Sequence, residues 1–213
     1  NEHDRTHFDG DYKDFRFAKA CKEKFPLHKY ERTAPIMSAL RTSKSDIEVQ
    51  LMQKACDITE KAFRRVLNFT KPGVMEYEIE AEITHEFIRN TAKHAYNPII
   101  ASGVDSCILH YNDNNKQCLD NQVLLMDFGS SYANYASDLT RTIPVSGKFT
   151  KRQKDVYNAC LRVHRAATHM MSSSITLDEI NTEVGKIMES ELIGLGLLDK
   201  DQVAKQNPKN PLF

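Results

Sequence analysis

Ile47, Leu51, Ala55, Ile58, Ala62 and Val66 follow one another at intervals of three or four residues. On a 3.6-residue turn this spacing stacks them as one apolar stripe, which predicts an amphipathic helix. Ser45 and Glu48 form a capping-box pair at its start, and "TKPG" from Thr70 marks its end. A second helix is predicted from about Glu76 to Ala92, with Ile79, Ile83 and Phe87 on its buried face and Pro98 forbidding a long continuation. Ahead of both, Phe17, Cys21 and Phe25 at spacing four predict a short helix from Asp11 to Phe25, ended by Pro26 and followed by a connector through Pro35. A lone striped helix has nothing of its own to bury against, so this stretch reads as the trailing edge of a domain lying upstream.

After the second helix the period changes. "PIIAS", "CILHY" and "VLLMDF" are short β-rich runs separated by Gly, Asp and Asn, which predicts strands of one sheet. Ala133-Asn134, between Tyr132 and Tyr135, suits a two-residue hairpin turn because Asn tolerates positive φ. Val156, Cys160, Val163 and Ala167 then recur at helical spacing, and Thr176 with Glu179 opens a last helix through Leu192. The tail from Asp201 is polar, proline-broken and expected to close no element. Helices, strands, then helices suit an α+β fold with the helices on one side of a mainly antiparallel sheet. The sheet is expected to be incomplete.

Charge and cysteine usage narrow the function classes. The 213 residues carry 29 basic and 29 acidic side chains, so the basic footprint of a nucleic-acid binder is missing. No run approaches the roughly 18 apolar residues of a membrane span, and the polar start lacks a signal peptide's apolar region. Five scattered cysteines with no C-x-x-C argue against a disulfide framework or zinc knuckle. They read as free thiols of a cytoplasmic protein.

Candidate chemistry lies in the hairpin. Asp127 and Asp138 stand eleven positions apart with no basic residue between them. With Tyr132 opposite Tyr135, Gly129 faces Asp138 and Asp127 faces Thr140, so the two acids lie diagonally on one face, roughly 7–8 Å apart. Thr140 and Thr142 share that face and Arg141 points to the other. Gly129 is expected to leave open space beside the acids. Two half-buried carboxylates without a cation repel one another, a cost that a divalent metal removes. Two solvated acids on an exposed hairpin fit the spacing equally well.

The run from Cys107 to Leu161, containing His110, Tyr111, the D-x-G at Asp127 and "YASDLTRTIPVSGKF" from Tyr135, resembles the metal-site segment of Xaa-Pro aminopeptidases in the pita-bread metallopeptidase family. "LRTSKSDIEVQLMQKACDIT" resembles the entry to that family's first catalytic-domain helix. The resemblance implies that residues 38–213 are the N-terminal portion of a pita-bread catalytic domain, and residues 1–37 the tail and linker of an N-terminal domain. It implies that Asp127 ligates one metal, Asp138 bridges two, and His110 is a catalytic, substrate-side histidine that stabilises charge on the attacked carbonyl oxygen. Thr140 would orient a carboxylate from behind. The implied cofactors are two divalent ions, Mn²⁺ first and Zn²⁺ or Co²⁺ next, sharing a hydroxide that attacks the bond before proline. Peptides with proline in second position would be the partners, and the full-length protein a homo-oligomer.

The family completes its site with further His and Glu ligands that this sequence does not supply. His164 and His169 are five apart on a predicted helix and match no family motif, and Glu189 and Glu191 fall on a helical charged face. The 213 residues alone are therefore expected to bind metal weakly and to be inactive. Prolidase and a non-catalytic pita-bread binding module are the alternatives. "DFG" lacks the other protein-kinase elements, and "GLG" at 194–196 ends a helix.

Overall fold

The computed structural model describes residues 12–205 and divides into two compact units between Gln53 and Lys54. In the first unit, α1 (Lys13–Lys24) is the expected short helix; Asp11, where it was expected to begin, lies outside the described residues. None of its residues is buried, and Phe17 is 71% exposed. The Tyr30 hydroxyl donates to the carbonyls of Cys21 (2.6 Å) and Phe25 (3.0 Å), tying the connector back onto the helix end. The connector is shorter than expected, because α2 (Ala34–Thr42) begins there. Pro35 stands in its first turn, where a fixed φ favours helix and the missing N–H costs nothing.

The long helix α3 (Asp46–Phe69) starts as expected, with Glu48 accepting from the Ser45 N–H at 2.7 Å and from its hydroxyl at 2.8 Å. Its apolar stripe is buried only from Ala55 onward, and Ile47 is 60% exposed. In the second unit α4 (Glu76–Arg89) stops three residues before Ala92. Thr91 takes φ 57°, outside the helical region, so the end is set locally and not by Pro98.

Six strands follow: β1 (Lys93–His94), β2 (Ile99–Ser102), β3 (Val123–Phe128), β4 (Ser130–Tyr132), β5 (Tyr135–Ala136) and β6 (Leu139–Pro144). They make two antiparallel sheets, ordered β2-β3-β6 and β1-β4-β5. "CILHY" is not a strand. A 3-10 turn over Gly103–Cys107 runs into an exposed bend, because the segment's apolar residues do not alternate with polar ones and only Tyr111 finds a buried place.

Leu124, Met126 and Phe128 of β3 and Ile100 of β2 bury one sheet face against Ile58, Ala62 and Val66 of α3 and Ile79, Ile83 and Phe87 of α4. These side chains are all fully buried, each contributing about 1.5–3 kcal/mol if a large aliphatic or aromatic group. The opposite face carries a smaller cluster of Ile99, Ala101, Leu125 and Tyr111, with Asp127 next along β3. Helices on one side of an antiparallel sheet are the expected α+β arrangement.

The chain continues through α5 (Lys151–Met170), α6 (Leu177–Gly194) and α7 (Lys200–Ala204). On α5 the buried stripe is rotated from the expected one: Ala159 and Val163 are buried and Cys160 is exposed. Arg162 donates two hydrogen bonds to the Glu191 carboxylate, at 2.7 and 2.6 Å, joining α5 to α6. The Thr176–Glu179 capping box forms, and Gly196 at φ 69° follows the end of α6. The tail does form an element, since Asp199 caps α7; residues 206–213 lie outside the described residues.

Candidate metal centre

The hairpin that carries both aspartates is built from its tip. Ala133 and Asn134 adopt φ 48° and 67°, the double left-handed turn that matches the twist of the flanking strands. Tyr132 pairs with Tyr135, and the same register reappears below, where Phe128 faces Leu139 and Asp127 faces Thr140. Between these ladders lies Gly129. Its role differs from the expected one of leaving room for ions: a Cβ there would stand 1.8 Å from the Ser137 carbonyl oxygen. The glycine lets two backbones touch, and the Ser137 main chain fills the space.

Behind that contact is a buried hydroxyl cluster. Thr59 Oγ1 and Ser137 Oγ are 2.6 Å apart, both accept from the Ser130 N–H, and the Ser130 hydroxyl donates to the Ala55 carbonyl at 2.9 Å. The residue preceding Asp138 is thereby fixed to α3.

On the other face the carboxylates converge. The Tyr96 hydroxyl stands 2.6 Å from Asp127 Oδ1 and 2.9 Å from Asp138 Oδ1, so the two oxygens are no further apart than these contacts laid end to end. A phenol has one proton to donate. Three oxygens therefore share a single hydrogen, and among the described residues neither aspartate forms an ion pair. Burial, followed by the hydrogen bonds to and charges of both aspartates, pushes the Tyr96 phenol well above its usual range. The proton stays on the tyrosine.

Tyr96 carries no local sequence signal of its role, because it lies 31 and 42 residues from its two partners. The only signal was positional. It stands just ahead of Pro98 and β2, and β2 pairs with β3 so that Ile99 faces Asp127, while the Ala95 N–H donates to the Gly129 carbonyl at 2.9 Å. The register thus delivers Tyr96 to the end of β3 where Asp127 sits.

Thr140 faces Asp127 in the ladder, but among the described residues its hydroxyl makes no hydrogen bond to either carboxylate. His110 is exposed, at φ 55°, in the bend that replaces the expected strand. His164 and His169 are exposed on α5.

Two carboxylates converging on one hydroxyl, Asp127 half-buried and Asp138 exposed, with no paired cation among the described residues, fit a hard or borderline divalent cation. Asp127 and Asp138 are the residues that would hold it. Among the described residues no group of three or more His, Cys, Asp or Glu side chains is gathered to complete a coordination shell. No described helix is long and apolar enough to cross a membrane.

Residues 50–207 match the model of metallopeptidase family M24. The chain is 38% identical over 182 residues to an Xaa-Pro aminopeptidase of Escherichia coli K12, covering 84% of this chain and 41% of that protein. It is 39% identical over 168 residues to an Xaa-Pro aminopeptidase of Haemophilus influenzae, covering 78% of this chain and 39% of that one. The solved structure of zinc-substituted E. coli aminopeptidase P in complex with product superimposes with a TM-score of 0.85 at 34% identity, over 94% of this chain and 49% of the other. The chain thus spans about two fifths of the length of these curated relatives and about half of the solved chain.

Proposed function

Because the chain belongs to metallopeptidase family M24, we propose that it carries the first half of the active site of an Xaa-Pro aminopeptidase. The reaction would be hydrolysis of the bond between an N-terminal residue and a following proline. In this reading residues 38–213 are the N-terminal portion of the catalytic domain and residues 1–37 the tail and linker of a domain before it. The observation that carries the reading is the convergence of Asp127 and Asp138 on one hydroxyl. It occurs in a chain 38% identical to a named Xaa-Pro aminopeptidase.

The family implies divalent metal ions; Mn²⁺ is proposed first, with Zn²⁺ or Co²⁺ able to replace it. Bound ions would supply Lewis-acid polarisation of the peptide carbonyl and a lowered pKa for attacking water. The residues of this chain would do the rest. Asp127 and Asp138 hold the cations, and Tyr96, whose hydroxyl lies within hydrogen-bond distance of both, fixes the orientation of the carboxylates. Thr140, opposite Asp127 but without a hydrogen bond to it here, would support that carboxylate from the next strand once ions are bound. His110 donates to the carbonyl oxygen as negative charge grows on it, which is where a preorganised donor lowers the barrier. Proline in second position has no N–H and a fixed φ, so the site must recognise a tertiary amide.

A cytoplasmic location and homo-oligomeric assembly belong to the same proposal. The five cysteines, all free thiols, support a reducing compartment.

With two carboxylates and, among the described residues, no gathered third ligand, the 213 residues alone are proposed to bind metal weakly and to be inactive. A polypeptide extended to the relatives' length, assayed with Mn²⁺, should cleave Xaa-Pro-Xaa peptides and leave Xaa-Ala-Xaa peptides intact. Asp138→Ala should abolish that cleavage. Retained activity in the variant would remove Asp138 from the site, and cleavage of dipeptides alone would make the enzyme a prolidase.

A further inference from the structure

We propose that Glu76 is a positioning residue for His110: one buried carboxylate closes both ends of the loop from which the histidine projects. The inference rests on the reading of His110 as the substrate-side histidine.

Glu76 is the first residue of α4 and is fully buried. Four donors meet its side chain. Oε1 accepts from the Ser102 N–H and the Ser102 hydroxyl, both at 2.7 Å. Oε2 accepts from the Tyr111 hydroxyl at 2.8 Å and the Lys116 N–H at 2.9 Å. Ser102 ends β2 and Tyr111 follows His110 directly. Residues 102–111 therefore leave and rejoin the body of the unit at the two oxygens of a single carboxylate.

Apart from the packing of the Tyr111 ring on Ile99, Ala101 and Leu125, little else holds that loop. Val104, Ile108 and Leu109 are 83%, 53% and 85% exposed, and His110 is exposed at a left-handed φ. Its internal bonds, from the Ser106 hydroxyl to the Gly103 carbonyl and from the Ile108 N–H to the Asp105 carbonyl, shape the first turn without fixing its direction. The returning chain is held beyond the histidine. Asn114 accepts from the Ile100 N–H and donates to Glu80 and the Pro98 carbonyl, and Cys118 exchanges backbone bonds with Val74 and Gly73. The direction of the His110 segment is set at its base, where Glu76 sits.

A carboxylate is the group this place needs. Buried ions ordinarily require a counter-charge, yet four converging donors, two of them backbone N–H groups, can stabilise the anion without one. Burial and the hydrogen bond to Glu76 raise the Tyr111 phenol to about 12, so it remains a donor at neutral pH. Glutamine has the same shape but only one acceptor. Its amide group would face the Lys116 N–H, which cannot turn round to accept.

The structural arm of the test is site-resolved amide exchange on the 213-residue chain. Glu76→Gln should speed exchange at Lys116 and across residues 103–111 on the order of tenfold, the equivalent of one net hydrogen bond. The amides of Ile83 and Phe87 in α4 should be unchanged. Unchanged exchange in the loop overturns the clamp, and equal acceleration throughout α4 assigns Glu76 to general stability. If Glu76→Gln does not fold, Tyr111→Phe removes one of the four bonds while keeping the ring, and should give a smaller change confined to the same residues; none there also overturns it.

The functional arm uses the active, extended polypeptide. Glu76→Gln should lower kcat on an Xaa-Pro peptide about tenfold with KM within twofold, and should cost nothing further in a His110→Ala background. Additive losses would show that Glu76 does not act through His110. Should His110→Ala by itself leave kcat unchanged, the proposed role of His110 fails, and the exchange experiment still decides whether the clamp exists.

Discussion

Replacing Gly129 with alanine tests how the two aspartates are held without changing either side chain. The added Cβ would lie 1.8 Å from the Ser137 carbonyl oxygen and 2.6 Å from its carbonyl carbon. Both are main-chain atoms, so no side chain can swing aside, and the strands must separate by more than an ångström. Ordinary overpacking costs about 1–3 kcal/mol. Separation here also breaks the 2.9 Å bond from the Ser137 N–H to the Ser130 carbonyl and disturbs the Thr59 cluster, at about 1 kcal/mol per hydrogen bond. The expected loss is about 3–5 kcal/mol. At about 2–4 °C per kcal/mol for a chain of this size, the melting temperature should fall by about 6–20 °C. Gly185, inside α6 with nothing within 4 Å of its would-be Cβ, provides the control. Gly185→Ala should stabilise by about 0.5–1 kcal/mol through helix propensity. Urea unfolding of both variants against the parent reads the difference. A Gly129→Ala protein within 1 kcal/mol of the parent would refute the close approach, and with it the account of how Asp138 is placed.

Three other outcomes are expected. Thr59→Val, which keeps the shape and removes the hydroxyl shared by Ser130 and Ser137, should cost about 1–3 kcal/mol in denaturant unfolding, and a neutral result would count against the cluster. Tyr96→Phe should lower stability by about 1–2 kcal/mol in chelator, with a smaller loss when Mn²⁺ is added, because a cation takes over the task of separating the carboxylates. His94 packs edge-on against Phe87, bonds Thr84 through Nε2 at 2.8 Å and buries an unpartnered Nδ1; burial lowers its pKa, partly offset by the charge of Glu80. The unfolded chain thus binds the proton more readily, so this histidine's contribution is intact above about pH 6.5 and is lost as the pH falls below it toward the folded-state pKa. Unfolding free energies measured at pH 7.5 and 5.5 should show a smaller drop in His94→Phe than in the parent, and an equal drop would exclude His94 as its source.

Much of this architecture was legible from periodicity. The stripes of α3 and α4 and the β3 run each carry a period that survives in the buried core, and the Ala133-Asn134 turn carries the rare backbone chemistry its position demands. From that turn the register follows by counting. Sequence and structure part where local pattern is weak or partners are remote. α2 is a nine-residue helix with no buried residue, so its apolar spacing had no core to answer to. "CILHY" offered apolar residues without alternation. Tyr96 and Glu76 bind partners 26 to 42 residues away, and only the folded sheet brings them together. The missing side chain of Gly129 is legible in the sequence, but backbone proximity is invisible to a register drawn as a flat ladder.

Because pairing runs down both arms from Ala133 and Asn134, the separation of Asp127 and Asp138 is fixed by residue count. Extra sequence grafted at the exposed tip would leave every pair beneath it in place. Deleting one residue from either arm would swing an aspartate round to the side occupied by Leu124, Met126 and Phe128. Length variation among descendants of this chain should therefore gather at the tip, which is also where a fluorescent label or affinity tag can be inserted at least cost.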